Sequence, residues 1–248
     1  VRRPAEAWPL GVWRKADPHA RWHDWLQEMA RRADTPALRD FYAAFPDNPE
    51  AAIGDTPLVA IDLETSGLDP RQHGILSVGL VPFTLDGIAV ARRRHWILRP
   101  PRGFSGESVA YHHITHSEVE QAPDLADVLP EILAELQGRL PVVHYHPVER
   151  RFLDRAVRER TGSVFRFPLI DTMEIEAKRH RRRWRLRLRR LLRRSPASIR
   201  LNDSRIRYGL PPYEGHQAVL DAIGTAELLQ AQIQHHYSRS TPIGQLWA

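Results

Sequence analysis

The sequence contains no cysteine, which excludes disulfide bonds and metal sites built on thiolates. It also has no apolar run of about 18 residues, the length of a membrane span, and no N-terminal apolar segment of signal-peptide length. These absences predict a cytoplasmic protein that does not contact a membrane and that could hold a metal only through oxygen or imidazole ligands. The 248 residues, 42% of them hydrophobic, suffice for one sizeable domain with an extension.

Acidic residues are missing from residues 178–194, a stretch that holds eleven Lys and Arg side chains. The net charge of the chain is +6, and it falls to −5 when these eleven charges are removed, so the positive excess is local. Such a stretch favours contact with a polyanion such as nucleic acid. A solvated helix face is the alternative, because Trp184 and Leu188 recur at helical spacing.

Hydrophobic periodicity predicts an α/β domain behind a helical N-terminal extension. Strands are predicted at 58–64, 75–83, 88–98, 142–145 and 167–171, and helices at 19–32, 35–44, 124–136, 147–160 and 215–235. The first three strands would form an antiparallel meander within a mixed sheet that carries helices on both faces. We divide the chain into a helical extension (1–56), a main domain (57–237) and a C-terminal tail (238–248). Whether the extension packs on its own domain or on a partner is open at this stage.

Two acids, Asp62 and Glu64, stand near the end of the first apolar strand. Strand alternation points both side chains to one face, where two buried carboxylates repel each other unless a cation lies between them. Oxygen ligands of this kind suit Mg²⁺ or Mn²⁺. The alternative is that the strand emerges into solvent and the two acids simply begin a loop.

A second pair, His216 and Asp221, lies near the start of the last predicted helix. Asp221 interrupts a stretch of Ala and Leu, and the imidazole upstream is a base that titrates near neutral pH. Taken alone, a solvated Asp and an N-terminal His explain the pair equally well.

The order of these motifs resembles that of the DEDDh 3'-5' exonuclease family, in its DnaQ-like (DNA polymerase III epsilon-type) branch. Residues 61–68, IDLETSGL, resemble the first motif of that family, although a Thr usually stands where Ser66 does. Residues 112–115, HHIT, are similar to a family stretch that meets the terminal nucleotide, and residues 216–229 follow the third motif. Gln217 stands where a related branch carries a tyrosine, which excludes that branch.

The resemblance implies an RNase H-like fold and two divalent cations, Mg²⁺ or Mn²⁺. It implies that Asp62 bridges both cations, that Glu64 and Asp221 hold the cation with the attacking water, and that His216 accepts the proton of that water. Nucleoside monophosphates would be released from single-stranded or frayed 3' ends of DNA or RNA, at a rate that rises with pH as the imidazole loses its proton.

The segment 144–153, HYHPVERRFL, corresponds to the family's remaining acidic motif, with Glu149 in the place of an Asp. This correspondence makes Glu149 a candidate ligand of the second cation. Its side chain is longer than that of Asp and adds about 1.5 Å of reach, which a contact with the cation through water could absorb. The alternative is a helix cap, with Pro147 at the first helical position and Glu149 at the third. Asp154 could replace Glu149 as the acid, but on a helix it would face about 140° away.

The resemblance also indicates candidate substrate contacts, although packing is the commoner explanation for each of them. They are Thr65, Ser66, Gly67, Leu68, His112 and His144, with Phe83 as a further aromatic candidate. A zinc site built from the histidines at 112, 113, 116, 144 and 146 is disfavoured, because their spacing matches no compact zinc pattern.

Two alternative functions are a non-catalytic nucleic-acid-binding module and a proofreading subunit of a polymerase. In the second case a polymerase or other protein partner would dock through residues 1–56 or 178–194.

Overall fold

A computed structural model describes residues 18–101, 114–182 and 198–248, with the backbone alone for 18–20 and 180–182. At its centre lies a five-stranded mixed sheet in the order β3-β2-β1-β4-β5. The strands are β1 (Leu58–Thr65), β2 (Ile75–Phe83), β3 (Arg94–Ile97), β4 (Leu140–Val143) and β5 (Ile170–Asp171). The first three pair antiparallel, whereas β4 and β5 join in parallel. The predicted meander with added parallel strands is confirmed.

Helices lie on both faces of the sheet. They are α1 (Pro18–Arg32), α2 (Pro36–Ala43), α3 (His116–Gln121), α4 (Leu125–Leu136), α5 (His146–Thr161), α6 (Thr172–Arg182), α7 (Leu201–Arg207) and α8 (Ala218–His236). Helix α8 packs on β1 and β2 at Gly79, which pairs with Asp62. Helix α5 packs beside Ile61, the neighbour of Asp62 whose side chain points to the other face.

Two strands are shorter than predicted. Residues 88–93 do not continue β3, because Val90–Arg92 form a 3-10 turn. Ile88 makes an isolated bridge with Phe83 of β2, and the continuous pairing with β2 runs from Arg94 to Ile97. At the opposite edge β5 keeps only Ile170–Asp171. This short strand also bridges to Trp247, and the N–H of Ala248 donates to the Leu169 carbonyl at 2.9 Å. Edge strands are the elements whose length depends most on what lies beside them.

The helical extension packs on its own domain, which answers the question that the sequence left open. Leu26, Leu38 and Phe41 are buried in the same core as the strands. Phe41 also lies 5.4 Å, centroid to centroid, from the rings of Phe165 and Phe167. The apolar faces of α1 and α2 are therefore used inside this chain.

Residues 238–248 are also part of the packed structure. Ile243 and Leu246 are buried, and the segment exchanges backbone hydrogen bonds with the end of the extension, from Ile53 N to Thr241 O and from Ile243 N to Ala51 O, both at 2.9 Å. Within the described ranges, no helix combines the length and the apolar character needed to cross a membrane.

Candidate active site

Three carboxylates from distant parts of the chain meet at the end of β1. Asp62, Glu64 and Asp221 each place one oxygen within 4.8 Å of the oxygens of the other two. We refer to these three residues as the acidic triad. Asp62 and Glu64 share a face of β1 through strand alternation, and Asp221 reaches them from the first turn of α8.

A glycine in β2 permits this approach. Gly79 pairs with Asp62 across the antiparallel ladder, and a Cβ atom built on it would lie 2.2 Å from the carbonyl carbon of Ala218. The backbone at the start of α8 therefore rests directly on β2. A side chain at position 79 would push α8, and Asp221 with it, away from the sheet.

The triad is electrostatically strained. Burial, and after it the charges of Asp221, Glu149 and Glu64, raise the pKa of Asp62 well above its ordinary value. Burial also raises the pKa of Asp221, although hydrogen bonds from Tyr213 and His216 oppose that shift. Buried carboxylates that repel one another in this way are relieved by a proton or by a cation.

The loop before α8 holds both oxygens of Asp221. The backbone N–H of His216 donates to Asp221 Oδ2 at 2.9 Å, and the hydroxyl of Tyr213 donates to Asp221 Oδ1. His216 has a φ of 71°, in the left-handed region that is uncommon for a residue with a side chain. The backbone of His216 is therefore hydrogen-bonded to the triad, and its side chain is exposed.

Glu149 is buried close to the triad without belonging to it. Its charge contributes to the raised pKa of Asp62, and burial raises the pKa of Glu149 itself well above the ordinary value. Its Oε2 atom is buried and has no hydrogen-bond partner among the described residues. A buried carboxylate oxygen without a hydrogen-bond partner costs free energy of folding. Such an oxygen is expected where the carboxylate binds a ligand from outside the chain.

The capping alternative for Glu149 is wrong, because Asp171 caps α5 instead. The helix begins at His146, one residue before the predicted start, which moves Glu149 to the fourth helical position. The backbone N–H groups of Tyr145 and His146 donate to the Asp171 carboxylate at 3.0 and 2.9 Å. Asp171 also accepts from the N–H of Met173 at 2.8 Å, at the start of α6.

The loop after β1 folds tightly and presents one apolar side chain. Thr65 Oγ1 donates to the carbonyl of Gly67 at 2.9 Å, and Ser66 Oγ accepts from the N–H of Gly74 at 3.0 Å. The ring of His73 covers Gly67, since a Cβ there would lie 2.4 Å from it. The side chain of Leu68 is 88% exposed, so of these four predicted substrate contacts it has the largest free surface.

The other three predicted substrate contacts, His112, Phe83 and His144, have different outcomes. His112 lies outside the described residues. Phe83 is buried in the core, so the prediction of a base contact there is wrong. His144 contacts Thr172 Oγ1 at 2.8 Å and the carbonyl of Ile199 at 3.1 Å through its two ring nitrogens, and burial lowers its pKa to about 4. A substrate contact by His144 would require one of these bonds to break.

The described residues support neither Asp154 as the acid in place of Glu149 nor a zinc site built from histidines. Asp154 accepts from the N–H of Phe165 at 2.9 Å and pairs with Arg158, away from the triad. The one group of potential metal ligands among the described residues is the triad, which contains no histidine. Most of the basic stretch 178–194 also lies outside those residues.

Two residues of the site were missed by the sequence analysis. A glycine inside an otherwise apolar strand is a known signal of close backbone approach, so Gly79 could have been found. Tyr213 could not, because its contact with Asp221 depends on the path of a loop that has no periodic pattern.

Comparisons with known proteins agree with this geometry. Residues 59–229 match the family model RNase_T, described as "Exonuclease". The chain is 29% identical over 179 residues to a "DNA polymerase III PolC-type" from Thermotoga maritima, an alignment that covers 72% of this chain but only 12% of that relative. It is 23% identical over 183 residues to a "DNA polymerase III subunit epsilon" from Treponema pallidum, which covers 71% of this chain and 76% of the relative.

Solved structures show the same fold. Exonuclease X, solved with 5' overhanging duplex DNA, superposes with a TM-score of 0.54 at 23% identity and covers 76% of this chain and 98% of its own. The nuclease domain of 3'hExo, described as a DEDDh family member bound to rAMP, has a TM-score of 0.57 at 15% identity and covers 73% and 92% of the two chains. The RNase H-like fold implied by the motifs is confirmed.

The matched model spans most of the chain, and the chain belongs to this exonuclease family. Within the family it is a DnaQ-like, DEDDh-type enzyme, a nuclease of the hydrolase class, as its motif order predicted. It spans 12% of the PolC-type relative, so the activity of that whole protein does not transfer to it.

Proposed function

We propose that this enzyme hydrolyses phosphodiester bonds at the 3' ends of DNA or RNA strands and releases nucleoside monophosphates. The observation that carries the proposal is the acidic triad, whose oxygens converge within 4.8 Å at the end of a buried strand. In a member of an exonuclease family, such a group is best explained as the site of a divalent cation.

The residues present fit such a cation. The triad offers hard oxygen ligands, which Mg²⁺ and Mn²⁺ prefer. Burial raises the pKa of Asp62 and of Asp221, and a bound cation would offset the cost of keeping these carboxylates ionised. Asp62, Glu64 and Asp221 would hold the first cation, and Glu149 would contribute to a second. When bound, the cations would supply the Lewis-acid charge that activates water and stabilises a departing 3' oxygen.

We assign His216 the role of proton acceptor. Its backbone is tied to Asp221 at 2.9 Å, and its side chain is exposed rather than packed in the core. An imidazole so placed can take a proton from a water bound near the triad. His216→Ala should therefore abolish most of the nuclease activity while leaving Mn²⁺ binding near the wild-type level. Loss of both together would argue against this role.

The nucleic acid would be held by exposed apolar side chains near the triad. Leu68 follows β1 in the loop beside Glu64 and is 88% exposed, and Leu220, 37% exposed, precedes Asp221. Single strands present base faces, on which aromatic side chains stack in other proteins, and the two leucines would contact those faces through their apolar surface. The similar solved structures contain duplex DNA in one case and rAMP in another, so both nucleic acids are candidate substrates.

The test is degradation of labelled oligonucleotides by the metal-free protein supplied with Mg²⁺ or Mn²⁺. DNA and RNA strands labelled at the 5' end should shorten one nucleotide at a time, and a 3' label should appear as a mononucleotide. Asp62→Ala should be inactive, whereas Asp40→Ala, which changes an exposed acid on α2, should match the wild type. Equal degradation by Asp62→Ala would exclude the triad as the active site, and internal cuts would exclude the exonuclease mode.

A polymerase partner is a second proposal, favoured by the polymerase III names of the relatives. Because the apolar faces of α1 and α2 are buried in this chain's own core, docking would use their exposed faces or the stretch 178–194. Co-purification with a DNA polymerase III, lost when residues 183–194 are replaced by a neutral linker, would support that stretch as the contact.

A further inference from the structure

Asp221 accepts a hydrogen bond from Tyr213, a side chain that has no part in the proposed chemistry. The hydroxyl of Tyr213 donates to Asp221 Oδ1, while the N–H of His216 donates to Oδ2. One donor on each oxygen fixes the plane of the carboxylate as well as its position. Asp221 is the triad member that arrives from a different element, so its orientation is not set by the strand that carries the other two.

Tyr213 is in turn held by a buried arginine. The guanidinium carbon of Arg205 lies 4.7 Å from the centroid of the Tyr213 ring, and Arg205 is only 2% exposed. Its Nη2 donates to the carbonyl of Pro211 at 3.1 Å and its Nη1 to the carbonyl of Gly224 at 3.0 Å, and it pairs with Glu227. The arginine on α7 thus joins the loop that carries Tyr213 to the body of α8.

Two glycines leave room for this arrangement. A Cβ atom on Gly224 would lie 3.1 Å from the Tyr213 hydroxyl, so the phenol rests on the surface of α8. A Cβ atom on Gly215 would lie 3.2 Å from Asp221 Oδ1. A Cβ atom at either position would be closer than ordinary van der Waals packing allows, so a larger residue at 215 or 224 would press on the carboxylate or on the phenol.

The direction of the hydrogen bond is defined. Burial, followed by the charge of Asp221, raises the pKa of Tyr213 well above its ordinary value. An ionised carboxylate can only accept, whereas a neutral phenol carries an O–H, so Tyr213 is the donor. A neutral donor lowers the cost of burying the carboxylate without competing for a cation.

We propose that Tyr213, anchored by Arg205, is a positioning residue that orients the Asp221 carboxylate for a divalent cation. The inference rests on the proposed function only in taking Asp221 as a metal ligand. Carboxylates that bind metals are commonly fixed by a hydrogen bond from a neighbouring group, and removing that group costs about 10- to 100-fold in metal affinity or activity.

Tyr213→Phe removes the donor and keeps the ring over Arg205. Titration of this metal-free variant, residues 1–248, with Mn²⁺ alone, measured by calorimetry, should give a Kd about 10- to 100-fold above that of the wild type. Tyr42→Phe is the matched control, because the Tyr42 hydroxyl is also buried and bonds to the Val164 carbonyl at 3.0 Å, far along the chain from the triad. This control should lower the melting temperature without changing the Kd for Mn²⁺.

The nuclease readout separates positioning from a general loss of structure. The rate of Tyr213→Phe should return towards that of the wild type when Mn²⁺ is raised above the new Kd. A Kd within twofold of the wild type would overturn the role of Tyr213 while leaving the proposed function intact. Failure of the wild type itself to bind Mn²⁺ would overturn the metal site and this inference together.

Discussion

Replacement of Asp62 by Asn should stabilise the metal-free enzyme, by an amount that grows with pH. At 4.8 Å, the upper limit of separation between the triad oxygens, two unit charges repel by about 3.5 kcal/mol at an effective dielectric constant of 20. Asn has nearly the same shape as Asp and removes one of these charges. The gain should approach about 3 kcal/mol when Asp62 would otherwise be ionised.

The pH dependence follows from the raised pKa of Asp62. Between the unfolded pKa, about 3.9, and the higher folded value, the folded protein binds more protons than the unfolded chain. Stability therefore falls as pH rises through that window. Ionising Asp62 can cost the folded wild type at most about 1.4 kcal/mol for each pH unit above the unfolded pKa. This loss of stability is therefore at most about 1.5 kcal/mol at pH 5, and it can reach about 3 kcal/mol by pH 8.

Thermal unfolding of chelator-treated protein at pH 5, 6.5 and 8 measures this effect. For a chain of this size, 1 kcal/mol corresponds to about 2–4 °C, so Asp62→Asn should melt roughly 6–12 °C above the wild type at pH 8 and at most about 6 °C above it at pH 5. Asp40→Asn, which changes an exposed acid, should track the wild type at each pH.

Saturating Mn²⁺ should reverse the order of the two proteins. A ligand at 1,000 times its Kd stabilises the folded state by about 4.1 kcal/mol, more than the advantage of about 3 kcal/mol that Asp62→Asn has without metal, and the variant should lose most of this effect. A wild type as stable as Asp62→Asn at pH 8 without metal would refute the argument that the triad is electrostatically strained.

Three further substitutions test the surroundings of the triad. Gly79→Ala, whose Cβ would lie 2.2 Å from the Ala218 backbone, should lower the free energy of unfolding by more than about 2 kcal/mol and abolish Mn²⁺ binding. Gly87→Ala, where the Cβ would lie in open space, should leave both stability and Mn²⁺ binding unchanged. Wild-type stability and Mn²⁺ binding in Gly79→Ala would contradict the close approach of the two backbones. Asp171→Ala should cost about 2–4 kcal/mol in denaturant unfolding, because two helix N-termini lose a cap, and a loss under 1 kcal/mol would contradict that role. Glu149→Gln should keep wild-type stability and lose at least tenfold in nuclease rate; full activity would remove Glu149 from the cation site.

Local patterns in the sequence were sufficient for the parts of the fold that depend on neighbours along the chain. The bounds of β2 at 75–83 were predicted as observed, because every residue of that strand is buried and the run is flanked by turn residues. The common direction of Asp62 and Glu64 follows from alternation alone. The family resemblance, which rests on short motifs, also identified Asp221 before any contact was known.

Contacts between distant segments decided the rest. Asp171 caps a helix that begins 25 residues before it, so no local rule could remove Glu149 from the capping role. The edge strands β3 and β5 are shorter than predicted, and β3 begins only after the 3-10 turn at Val90–Arg92. The triad forms because Gly79 lets one backbone rest on another and because Arg205 holds the loop that bears Tyr213. Such arrangements depend on packing between elements, which periodicity along a single chain does not encode.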